Sequence, residues 1–65
     1  GFINSQIIVD EIREKVMAEN PGLCGDAIQV FPIVSADTFS AQIWDDNGEV
    51  QKVYLFDAVG ERVNV

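Results

Sequence analysis

Histidine is absent from the sequence, and cysteine occurs once, as Cys24. The first absence removes the commonest general base and the commonest transition-metal ligand. The second excludes an intramolecular disulfide, so the fold has no covalent staple. Basic residues are scarce: four Lys and Arg face eleven Asp and Glu, for a net charge of −7. A surface of that sign repels phosphate backbones and anionic lipid, which argues against direct nucleic-acid binding and against membrane-surface binding. No apolar run approaches the ~18 residues that a membrane helix needs. The opening GFINS lacks a basic segment, and Ile7–Val9 is too short for the apolar stretch of a signal peptide.

What is present is a globular composition, 48% apolar and 23% charged, as in ordinary folded domains. The chain is read as one domain spanning residues 1–65. A chain this short buries only about 60% of its unfolded surface. Its core supplies on the order of 3–5 kcal/mol, which leaves little margin for a strained, buried active site.

The hydrophobic pattern changes period once along the chain. From Gln6 to about Glu19 the residues Ile8, Val9, Ile12 and Val16 follow helical spacing, with Asp10, Glu11, Arg13, Glu14 and Lys15 on the remaining surface. Asn4 or Ser5 is placed to cap this helix, and Phe2 and Ile3 to pack back on its first turn. Asn20-Pro21-Gly22 ends it, because a residue before proline avoids the helical region. After Gly25 the reading is strand: Ala27–Val34, with Pro32 confining it to an edge or a bulge, then Thr38–Asp45, Glu49–Asp57 and a short Arg62–Val65.

Two of the turns share one pattern. Ile43-Trp44-Asp45-Asp46-Asn47-Gly48-Glu49 parallels Leu55-Phe56-Asp57-Ala58-Val59-Gly60-Glu61: aliphatic, aromatic, Asp, two residues, Gly, Glu. Both suit a three-residue loop, a type I turn closed by a left-handed glycine. Carried straight along the strands, these loops place Trp44 opposite Val50, Ala41 opposite Val53, Phe39 opposite Leu55 and Phe56 opposite Arg62. One sheet face then holds Phe39, Ala41, Ile43, Val53, Leu55, Val63 and Val65. Register follows the face that must be buried, so this face is expected under the helix. The fold class expected is α+β: one N-terminal amphipathic helix on a 3–4-stranded antiparallel meander, α-β-β-β-β. The register of the first strand stays open, since both of its faces are largely apolar.

The same register sends Trp44, Val50, Lys52, Tyr54, Phe56, Arg62 and Asn64 to the uncovered face. Exposed aromatics can simply stabilise a small sheet by cross-strand pairing. Trp, Tyr and Arg are also the residue types enriched at binding hot spots. Trp44, Val50, Lys52, Tyr54, Phe56 and Arg62 are therefore the candidate protein-binding residues, with a protein partner or a second copy of the chain as the ligand.

Catalytic and metal readings are weaker. Asp45-Asp46-Asn47-Gly48-Glu49 lacks the spacing of a twelve-residue calcium loop and is what a hairpin turn prefers. Cys24 and the serines have no histidine to activate them, and a lone cysteine reads as a small buried apolar residue. No enzyme activity, cofactor or metal is expected.

The carboxyl-terminal half resembles the PepSY domain. The residues that carry the resemblance are Phe39-Ser40-Ala41-Gln42-Ile43, Asp46-Asn47-Gly48-Glu49, Val53-Tyr54-Leu55-Phe56-Asp57-Ala58 and Gly60-Glu61-Arg62-Val63. In that family a strand, an Asp-Gly turn and a strand ending in Asp-Ala follow an amphipathic helix. Val59 departs from the small polar residue usual at that turn. The resemblance implies a regulatory or inhibitory module that binds a peptidase or another protein.

The functional expectation is a non-catalytic interaction or regulatory module that binds a protein through an aromatic sheet face. The alternative is an acidic, phage-type inhibitor that mimics nucleic acid and occupies a basic DNA- or RNA-binding protein, as the charge of −7 suggests. A third reading makes the chain part of a larger protein, its aromatic face packed on a neighbouring domain.

Overall fold

A computed structural model of the protein describes residues 5–63. Helix α1 spans Ser5–Glu19, followed by strands β1 (Ile28–Ile33), β2 (Thr38–Trp44) and β3 (Val50–Asp57). The strands form one antiparallel sheet in the order β1-β2-β3. Single 3₁₀ turns, Gly25–Ala27 and Val34–Ala36, lead into and out of β1. The protein is therefore α+β, a helix followed by a three-stranded meander. The cap expected at Asn4 and the packing expected of Phe2 and Ile3 lie outside the described residues.

The apolar stripe explains where α1 sits. Ile12 and Val16 are fully buried, and Ile8 and Val9 pack against the same cluster. The helix lies against β1 and β2. Beneath it the helix-side face has three cross-strand rows: Ile28–Ile43–Lys52, Val30–Ala41–Tyr54 and Pro32–Phe39–Phe56. Small Ala41 in the middle of this face leaves room for the helix, and large residues on either side fill the space around it. Pro32 sits on β1, an edge strand, the kind of strand in which proline is tolerated.

The two matching turns fold alike. Asp45 N donates to Glu49 O at 2.8 Å and Gly48 N to Asp45 O at 3.1 Å; Asp57 N donates to Glu61 O at 2.8 Å and Gly60 N to Asp57 O at 3.0 Å. Both glycines have positive φ, 78° and 88°, the left-handed conformation that closes such a loop. Both three-residue loops are as expected.

The strand between them is not. Trp44 does pair with Val50, but Ile43 pairs with Lys52, and the ladder continues Gln42–Val53, Ala41–Tyr54, Ser40–Leu55 and Phe39–Phe56. Gln51 is the extra residue of a β-bulge. A shift of one residue turns every following side chain to the opposite face. This corrects the expected register: Tyr54 (9% exposed) and Phe56 (1%) join Phe39, Ala41 and Ile43 in the core, and Val53 (56%) faces outward. Aromatic rings bury more apolar area than Val and Leu, so the shifted register hides more of the chain from water.

The expected fourth strand reduces, among the described residues, to one bridge between Phe56 and Arg62 and a hydrogen bond from Val63 N to Leu55 O at 2.8 Å. Asn64 and Val65 lie outside the described residues. Cys24, expected to be buried, is exposed in the loop after α1.

Candidate functional site

The bulge divides the six expected binding residues among three places. Lys52, Tyr54 and Arg62 meet at the C-terminal end of α1. The Arg62 guanidinium donates to both carboxylate oxygens of Glu19 at 2.7 and 2.9 Å and stands 4.7 Å over the Tyr54 ring. Asn20 Nδ2 donates to Val16 O at 2.8 Å and to the Tyr54 hydroxyl at 3.2 Å. Lys52 Nζ donates to Asn20 Oδ1 at 3.0 Å. Helix ends leave carbonyls without internal partners, and Asn20 takes the one at Val16. This cluster fastens β3 to the helix end, so its polar groups are used internally.

Phe56 belongs to the core. Trp44 and Val50 form a pair beyond the bulge, Trp44 half-buried and Val50 40% exposed. The indole Nε1 of Trp44 is buried with no acceptor among the described residues. That arrangement carries a desolvation cost.

The face opposite the helix has its own rows: Gln29–Gln42–Val53, Phe31–Ser40–Leu55 and Ile33–Thr38–Asp57. Phe31 is 38% exposed, and Ile33 and Leu55 are half-buried. The middle strand carries the short hydroxyl residues Thr38 and Ser40, while the outer strands carry Phe31, Ile33, Val53 and Leu55. Ser40 is only 3% exposed, and it stands between the larger Phe31 and Leu55 of the flanking strands. The result is a shallow trough along β2 with apolar residues on its flanks and a polar floor of Thr38, Ser40 and Gln42. Sequence reasoning placed Val53 and Leu55 in the core and left Phe31 and Ile33 without a face. In β3 two of the four odd positions are apolar (Val53, Leu55) and three of the four even positions (Val50, Tyr54, Phe56), so alternation separates the two sets by a single residue. The usable signal was size, two aromatic rings against Val and Leu.

The described residues contain no enclosed cavity and no cluster of three or more Cys, Asp or Glu arranged to hold a metal ion. No described helix is long and apolar enough to cross a membrane. The carboxylates of Asp45 and Asp57 are engaged in their own turns: Asp45 Oδ1 accepts from Asn47 N and Glu49 N at 2.9 Å each, and Asp57 Oδ1 accepts from Val59 N at 3.1 Å and Glu61 N at 2.9 Å. These two aspartates are turn residues.

No protein-family model matches the chain, and neither a curated protein nor a solved structure gives a match.

Proposed function

We propose that the protein is a non-catalytic interaction module that binds a protein partner through the open sheet face. The observation that supports this reading is the set of Phe31, Ile33, Val53 and Leu55 flanking β2 on the face opposite α1, which no other described element covers. Contiguous exposed apolar surface on a small domain marks a binding site more often than chance placement does. Trp44 and Val50 extend the surface past the bulge; Tyr54, Phe56, Lys52 and Arg62 act in the scaffold beneath it. The PepSY resemblance gives the reading a direction, a regulatory or inhibitory role toward a peptidase or another protein.

The test is site-specific photo-crosslinking in the cells that make the protein. A photoreactive side chain at position 53 should give a protein adduct, one at position 14 on the exposed helix surface should not, and Phe31→Lys should remove the adduct. Adducts from position 14 alone, or none from position 53, would sink the reading.

A further inference from the structure

The basic side chains lie on one side of the sheet only, while acidic residues occur on both. All four basic side chains are engaged on the helix side: Arg13 with Asp10 at 4.0 Å, Lys15 with Gly60 O at 2.6 Å, Lys52 with Asn20 and Arg62 with Glu19. The trough itself carries no basic group. Asp45, Asp46 and Glu49 stand at one end of it, in the β2–β3 turn, and Asp37 and Asp57 at the other, flanking β2 and β3. A face with apolar flanks and carboxylates at both ends has a definite complement, an apolar stripe with cationic groups at both ends.

The shape narrows the complement further. β2 has seven residues, so the trough is ~23 Å long at about 3.3 Å per residue. A helix of ~15 residues has that length at 1.5 Å per residue, which is the length of α1, fifteen residues, on the other face. A second copy of the chain fits poorly. Both ends of the trough are acidic, so stacking two open faces in either direction brings carboxylates against carboxylates, between chains of charge −7 each.

We infer that the open face takes an amphipathic helix of about four turns from another protein, with an apolar stripe along the trough and Lys or Arg at both ends. The inference rests on the docking reading above and adds the chemistry of the partner. The bound form is a helix–sheet–helix sandwich in which both sheet faces are covered.

The experiment uses two synthetic helical peptides with the same leucine stripe, one bearing lysines at both ends and one bearing glutamates. Binding is followed by amide NMR shifts of the intact protein. The lysine peptide should shift the amides of Ser40, Val53 and Leu55 saturably, and its affinity should fall at least about tenfold between low and high salt as the charges are screened. Asp46→Lys combined with Glu49→Lys should weaken the lysine peptide and strengthen the glutamate peptide, with the apolar flanks of the trough unaltered. Equal binding of both peptides, or binding insensitive to salt, overturns the inference. So does concentration-dependent dimerisation that shifts the same amides without peptide, which would make the occupant a second copy. If neither peptide binds while position 53 still crosslinks, the partner chemistry is wrong and the docking face stands. If crosslinking fails as well, both fall together.

Discussion

The turns Asp45–Glu49 and Asp57–Glu61 have the same backbone path and the same set of four hydrogen bonds, yet their surroundings are opposite. At the first, Ile43 is buried and the following aromatic, Trp44, is half-buried on the open side; at the second, Leu55 is half-buried on the open side and the following aromatic, Phe56, is in the core. A Cβ at Gly48 would meet nothing within 4 Å, whereas one at Gly60 would lie 3.5 Å from Ile8 Cγ2. The Gly60 carbonyl also receives Lys15. One turn is a free hairpin tip, and the other is pinned under the helix. The twelve residues from Asp45 to Asp57 should keep the two motifs in phase, since twelve is even and side chains alternate. The single extra residue at Gln51 puts them out of phase. Local sequence sets the form of a turn, and the core sets which way its flanks face.

The sharpest way to break this comparison is to truncate the two aromatics. Phe56→Ala should lower the unfolding free energy by about 3–5 kcal/mol, close to the whole stability of so small a domain. Trp44→Ala should cost about 1 kcal/mol and leave the protein folded. Urea denaturation with far-ultraviolet circular dichroism measures both. Similar losses would place the two rings on one face and refute the bulge.

A smaller effect separates the two glycines. Asparagine tolerates the left-handed conformation, so Gly48→Asn should change stability by only a few tenths of a kcal/mol. Gly60→Asn adds a side chain against Ile8 and Glu11 and should cost about 1–3 kcal/mol. Equal thermal midpoints would mean that the helix does not press on the second turn.

The smallest effect is the most telling about register. Deleting Gln51 removes the bulge but keeps Trp44 opposite Val50 and Phe39 opposite Phe56. We expect a loss below about 1 kcal/mol, with NMR cross-peaks between the Tyr54 ring and Val16 retained. Loss of those cross-peaks, with Val53 moving into the core, would show that the bulge and not the aromatic pair holds the register.

Much of the fold was legible in the chain. The stripe Ile8, Val9, Ile12 and Val16 marks the helix and its buried side, Asn20-Pro21-Gly22 its end, and the paired Asp–Gly–Glu motifs the two loops. Trp44 opposite Val50 and Phe56 opposite Arg62 follow from those loops. The candidate site was less legible, because each of its residues depends on the face that β3 presents, and that depends on one unpaired residue with no distinctive composition. Lys52, Tyr54 and Arg62 resemble a binding set in sequence but close the end of α1 in the structure, through Asn20 and Glu19, residues more than thirty positions from them in the chain.

By itself, then, the sequence determines what is local: one helix, the strands, two left-handed glycines, and the lack of any histidine or disulfide chemistry. These follow from backbone preferences and side-chain periods within a few residues of each other. Only the tertiary structure decides which half of β3 is hidden. That choice is made by the area two aromatic rings bury against Ile12, Val16 and Phe39, across a bulge whose cost is small beside that gain.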